Sequence, residues 1–251
     1  CRHWSEIRTK RRFWYRRSYV AGWEAVVFAK LTALFSKTIF LALLLLGLQA
    51  CSPSLYHVTL KYEPAEKFLK SEETKPDFLL TVAMFRDIRQ TNDKLQLGTV
   101  TSMNGDRIPI LPKNVKVPNA VTMDVREYFF KSGYRLSNNV PIWDLREETI
   151  NKDWGRILVG GTIDELEIVC DDSFPVKTYR AKVKLTVVFA NVPAKRISDQ
   201  IRVKSSSSLK DISFSEEMLE QQINAVLSDA LERIFTDPEM KKRIDESRVK
   251  S

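Results

Sequence analysis

The longest alternation in the chain runs from Tyr179 to Asn191. Tyr179, Ala181, Val183, Leu185, Val187 and Phe189 are apolar or aromatic, and the positions between them begin Arg180, Lys182, Lys184, Thr186. A two-residue period of this kind predicts an antiparallel strand with one buried face. The next stretch repeats it, with Ile197, Ile201 and Val203 set among Arg196, Ser198, Gln200, Arg202 and Lys204. The stretch before it, Arg156–Cys170, changes phase midway: Ile157, Val159 and Ile163 fall on odd positions, Leu166, Ile168 and Cys170 on even ones. A bulge near Asp164-Glu165 reconciles the two halves. If Leu166, Ile168 and Cys170 face Val183, Ala181 and Tyr179, the other face sets Glu165 against Lys184 and Glu167 against Lys182. Such pairs are worth roughly 0.2–1 kcal/mol each. The expected product is a three-stranded meander with one apolar face and one charged, solvated face.

Upstream, Phe78–Phe85 (FLLTVAMF) is an apolar run of strand length and predicts a central strand. Gly98–Met103 and Arg107–Leu111 flank Asn104-Gly105, a hairpin-turn dipeptide. Val117–Ser132 predicts a helix, with Pro118 in its first turn, Val121, Val125, Tyr128 and Phe129 on one face, and Gly133 as a stop. A short strand at Tyr134–Leu136 and a polar loop through Trp143 and Trp154 follow. In the last helix Leu219, Ile223, Val226, Leu227, Ala230, Leu231 and Ile234 form a stripe, with Glu, Gln and Asp opposite, that covers the apolar sheet face. Ser213 and Glu216 have the spacing of a capping box, and Asp237-Pro238 ends the helix. These elements predict an α+β domain over residues 77–236: a mainly antiparallel sheet with two helices on one face, a two-layer sandwich. Residues 237–251 are expected to be a charged tail. Residues 51–76, with Pro53, Pro64 and Pro76, read as a tether containing at most one short strand at Tyr56–Tyr62.

The N-terminal pattern is different. Behind Lys37, all eight residues from Ile39 to Leu46 are apolar, and Gly47, Leu48, Gln49, Ala50 and Cys51 follow. This fits the apolar core of a secretory signal segment, and it is shorter than the roughly 20 residues a membrane span needs. It changes how the charge is read. The chain carries +8 overall, yet residues 1–50 hold nine Lys/Arg against two acids, leaving 31 basic and 30 acidic residues from Cys51 onward. The basic character therefore belongs to the leader (residues 1–50), and no nucleic-acid partner is expected of the remainder. No Met precedes Met84, and the stretch before Val27 reads as lying upstream of the true start, so translation is expected near Val27 or Leu31.

Candidate chemistry is sparse. After cleavage only Cys51 and Cys170 remain, Cys170 reading as a small buried hydrophobe, and the histidines are His3 and His57. No nucleophile motif, phosphate loop or metal-spaced histidine pair is present, so no enzyme activity, cofactor or metal is expected. Gly160-Gly161 within a strand marks a bulge or close packing. The acids Asp164, Glu165, Glu167, Asp171 and Asp172 lack the spacing of a calcium loop. An acidic enzyme site would require Asp87, Asp164 and Glu165 to converge, whereas Asp87 with Arg89 reads first as an ion pair or turn. The stripe Arg180, Lys182, Lys184, Arg196, Arg202 and Lys204 is either an ordinary wet sheet face or a binding face for an anionic partner.

Two resemblances add to this. Leu48-Gln49-Ala50-Cys51 resembles the lipobox of bacterial lipoproteins. The resemblance implies cleavage between Ala50 and Cys51 by signal peptidase II, lipid (palmitate-containing) on Cys51, and membrane attachment through it. Ser52, where Asp would favour inner-membrane retention, implies the periplasmic face of the outer membrane. The order of a strand ending FRDIR, a hairpin, a helix ending KSGY, the strand ILVGGTIDELEI, two alternating strands and an amphipathic helix resembles the YajG-type family of small envelope lipoproteins. It is also similar in layout to auxiliary lipoproteins of lipid transporters, which would show an apolar groove between sheet and helices. Both imply a non-catalytic binding or assembly role with envelope proteins or lipid.

Overall fold

The computed structural model describes residues 55–64, 78–113 and 115–235. The leader, Cys51, most of the expected tether and the tail beyond Phe235 lie outside the described residues. Among those described, no helix is long and apolar enough to cross a membrane.

Nine strands and two helices follow in order: β1 (Tyr56–Val58), β2 (Leu79–Val82), β3 (Arg86–Asp87), β4 (Gly98–Thr101), β5 (Arg107–Pro112), α1 (Val117–Lys131), β6 (Arg135–Leu136), β7 (Ile157–Asp171), β8 (Lys177–Asn191), β9 (Arg196–Asp211) and α2 (Glu216–Phe235). The meander β7–β8–β9 is antiparallel throughout and makes the sheet mainly antiparallel. Its register is the one the alternation predicts: Leu166 opposes Val183, Ile168 opposes Ala181, Cys170 opposes Tyr179, Glu165 opposes Lys184 and Glu167 opposes Lys182. The pairing shifts between Ile163 and Glu165, so Asp164 is the bulge residue that lets both apolar halves face the same side.

The other edge of β7 carries strands that precede the meander in the chain. β2, β3 and β4 attach to it one after another, all parallel, at Ile157–Val159, Thr162–Ile163 and Ile168–Asp171. The Phe78–Phe85 run thus supplies β2 and leads into β3. The hairpin β4–β5 turns at Gly105, whose φ of 86° is open to glycine at no steric cost. β1 joins β5 in parallel, and β6 joins β2.

Both helices pack on the face carrying Tyr179, Val183, Leu185 and Val187, within one continuous buried cluster. Leu219, Ile223, Leu227, Ala230 and Leu231 of α2 are fully buried there, as are Val121 and Val125 of α1. The α2 cap differs from expectation. Ser215, not Ser213, accepts at its Oγ from the Met218 N–H at 3.1 Å, while Ser213 is held by Asp211. The helix begins one residue after Ser215, where that hydroxyl is three residues from an orphan N–H.

The second sheet face is only half solvated. Trp143 and Ile150, from the loop expected to be merely polar, pack with Leu158, Val188, Ala190 and Val192 in a separate buried cluster. Trp143 is 1% exposed and donates its indole N–H to the Arg146 carbonyl at 2.9 Å. Gly160 explains the fit, because a Cβ there would lie 2.7 Å from the Trp143 ring.

Candidate functional site

Three places gather polar groups, and only one of them was visible as a set in the sequence. The first is the uncovered half of the second sheet face. Arg180, Lys182, Arg202 and Lys204 are exposed there and Lys184 is half-buried. Lys182 binds Glu167 at 2.9 Å, whereas Lys184 sits opposite Lys204 across β8–β9, two like charges in register. Arg196 lies at the far end of β9, opposite Asn191, apart from the others. The structure therefore brings Arg180, Lys182, Lys184, Arg202 and Lys204 onto one strand pair, with Glu165 and Glu167 along its β7 side.

The acids proposed as an alternative site are divided between structural tasks. Asp164 accepts from the hydroxyls of Thr162 and Thr186, each at 2.7 Å, and so holds the bulge. Asp87, paired in register with core residue Ile163, lies on the helix-covered face. It forms a two-point contact with Arg89 (Nε to Oδ1 3.0 Å, Nη2 to Oδ2 2.8 Å). Burial works to raise the Asp87 pKa, but the Arg89 hydrogen bonds and charge outweigh it and hold the carboxyl below its usual value. Arg89 is 5% exposed and also donates to the carbonyls of Lys94, Gln96 and Leu166. Leu166 lies where the β7 edge has left β3 and not yet met β4, so the guanidinium satisfies a carbonyl that no strand reaches. Asp87, Asp164 and Glu165 do not converge, and among the described residues no cluster of three or more His, Cys, Asp or Glu could hold a metal. Cys170 is fully buried, with its thiol pushed up to about 11 by burial and then by Asp172 and Asp171.

The second place is a strap that sequence reasoning took for tether. Residues 59–63 leave β1 in extended form and run parallel to α2. The Thr59 N–H donates to Glu220 (2.8 Å), the Lys61 N–H to Asn224 (3.1 Å) and the Glu63 N–H to the Ser228 hydroxyl (2.9 Å). Asn224 returns a bond to the Thr59 carbonyl at 3.0 Å. Two residues of extended chain advance about 6.6 Å and four residues of helix about 6.0 Å, so alternate N–H groups match side chains four apart. Tyr62 locks the end. Its N–H donates to Asp124 of α1 (3.0 Å), its hydroxyl to Glu232 of α2 (3.4 Å), and its ring meets Tyr128 edge-on at 5.6 Å. Asp124 is 5% exposed and its Oδ2 finds no partner among the described residues. Burial pushes its pKa up to about 7; the Tyr62 N–H opposes this, Glu127 adds to it and Lys131 opposes it.

The third place is a polar groove of about 480 Å³ at the start of α2, between His57, Lys61, Lys113, Glu216 and Glu220. Between sheet and helices, where a lipid-carrying groove was one expectation, the space is occupied by the fully buried core residues of α2 and β8.

The described residues form a two-layer α+β domain in which residues 59–63 are strapped to α2, and among them no catalytic set converges. No family model and no curated protein sequence matches the chain. Among solved structures it is similar to protein XCC0632 from Xanthomonas campestris, of family DUF330, with 9% identity, 77% of this chain and 99% of that one covered, and TM-score 0.47. A putative neuraminyllactose-binding hemagglutinin homolog from Helicobacter pylori is similar at 11% identity, 76% and 97% coverage and TM-score 0.42. Lipoprotein GNA1162 from Neisseria meningitidis is similar at 9% identity, 60% and 96% coverage and TM-score 0.32.

Proposed function

We propose that this chain is an envelope lipoprotein, cut between Ala50 and Cys51, lipidated on Cys51 and held on the periplasmic face of the bacterial outer membrane. Its domain binds or assembles with envelope components and performs no catalysis. The observation that carries this reading is the apolar run ending Leu48-Gln49-Ala50-Cys51. The strap supports it, because an anchored domain needs its N-terminal entry fastened, and five hydrogen bonds between the strap and α2 do that here. The surface assigned to a partner is the β8–β9 stripe around Lys184 and Lys204, whose mutual repulsion an anionic group would relieve.

The test is a Cys51→Ala substitution followed by palmitate labelling and membrane fractionation. The expected outcome is loss of label and accumulation of the uncleaved precursor, which still carries the apolar run before residue 51. Unchanged labelling would end the lipoprotein reading. Affinity capture with the anchored protein, compared with a Lys184→Glu/Lys204→Glu variant, then tests the stripe: co-purifying envelope components should be lost from the variant.

A further inference from the structure

The strand register sends three connections out of the same end of the sheet. Thr101 lies beside both Asp171 and Arg107, and Lys177 beside Asp211, so the β4–β5 turn, the β7–β8 turn and the β9–α2 link emerge together. Each carries an exposed apolar side chain: Met103 (68% exposed), Phe174 (84%) with Val176 beside it, and Ile212 (83%). The β8–β9 turn at the opposite end buries its one large apolar residue, Val192, and exposes Pro193, Ala194 and Lys195.

β1 starts on the side of the apolar end. β1 runs parallel to β5, Tyr56 beside Ile110 and Val58 beside Pro112, and β5 itself starts at that end with Arg107. The first residue of β1 therefore lies toward the tips, and Leu55, which precedes it, is exposed. Only Ser52, Pro53 and Ser54 separate Leu55 from Cys51. At no more than about 3.6 Å per residue, four steps of chain reach roughly 14 Å.

We propose that this rim, Leu55, Met103, Phe174, Val176 and Ile212, seats in the interface of the bilayer that holds the protein's own anchor. The inference rests on lipidation of Cys51 and adds to it an orientation: the sheet stands with its β8–β9 turn away from the membrane. A few loop-tip side chains bind a bilayer weakly by themselves, but a tether this short makes the contact intramolecular and raises its effective concentration to the millimolar range, about 10⁻³ M. The charges behind the tips are of both signs, with Lys177 paired to Asp172 at 2.7 Å, so the seating is apolar and does not depend on salt.

The test uses the full chain expressed in a lipoprotein-processing bacterium, purified in detergent and returned to vesicles of phosphatidylethanolamine and phosphatidylglycerol. Phe174→Cys, Ile212→Cys and, as control, Lys195→Cys are each labelled with an environment-sensitive fluorophore; Cys170 is buried and stays unlabelled. The expected result is loss of about half the emission at 174 and 212 to a quencher carried on the lipid chains, with no loss at 195 and no effect of salt. Equal, low quenching at all three positions in protein that carries palmitate overturns the rim and leaves the anchor standing. Protein without palmitate on Cys51 overturns both. Emission that follows protein concentration in detergent, and not lipid, assigns the rim to a second copy of the chain and also overturns the proposal.

Discussion

Asp124 makes the strap sensitive to pH, and the size of the effect follows from its burial. In the unfolded chain the carboxyl titrates near its usual 3.8, and in the fold burial pushes it up to about 7. Because the folded pKa is the higher one, the protonated form is favoured by folding. The contribution is fully present below pH 3.8, declines as pH rises through the interval, and is gone above pH 7. Three pH units at 1.36 kcal/mol each give a loss of about 4 kcal/mol across that window. Asp124→Asn keeps an acceptor for the Tyr62 N–H and cannot ionise. The amide's own cost, about 1–3 kcal/mol if its NH₂ is left unpaired, is the same at every pH and cancels from the slope. Urea unfolding of the chain from Ser52 onward, followed through Trp143 and Trp154 between pH 4 and 8, should therefore show the Asn variant gaining on its parent by about 4 kcal/mol from the acid to the neutral end. Parallel curves for the two proteins would refute the assignment of a neutral, buried carboxyl at the strap.

Gly160→Ala should cost about 1–3 kcal/mol and perturb tryptophan emission, because its Cβ would meet the Trp143 ring at 2.7 Å; an unchanged urea midpoint would contradict the packing. Asn224→Ala removes the partner of both the Lys61 N–H and the Thr59 carbonyl, with an expected loss of about 1–3 kcal/mol and faster hydrogen exchange at Lys61. Arg89→Met leaves Asp87 with the Lys94 ammonium at 3.7 Å as its cationic partner and frees three carbonyls, and should destabilise by about 3 kcal/mol in thermal or urea unfolding. Lys204→Glu replaces a like-charge pair by an opposite one and should raise stability by about 0.2–1 kcal/mol while weakening capture of anionic partners; a fall in stability would contradict the register.

What could be read from the sequence divides along a physical line. The β7–β8 register, including the bulge at Asp164, was legible because a two-residue period with one buried face forbids a slip of one residue, which would expose Val183 and Leu185, and because Glu165 and Glu167 match Lys184 and Lys182. That Phe78–Phe85 and Gly98–Met103 hold strands was legible too, but the parallel placement of β2, β3 and β4 along the free edge of β7 was not, since runs of two to four residues carry no period that fixes a partner. Trp143 does lie in a loop, but its burial was missed; the signal available was Gly160, which leaves room for something large on that face. The strap is the most instructive miss. Glu220, Asn224, Ser228 and Glu232 recur at four-residue spacing on α2, which a hydrophobic pattern scores simply as its wet side. Yet Asn224 and Ser228 are buried, at 0% and 4% exposed, because the strap's N–H groups replace water along that row. A short, hydrogen-bonding pair such as Asn and Ser within an otherwise charged helical row is a poor solvent face and a good backbone receptor. That distinction, together with the alternation of donors in a neighbouring extended segment, is what would identify a strap of this kind in another chain.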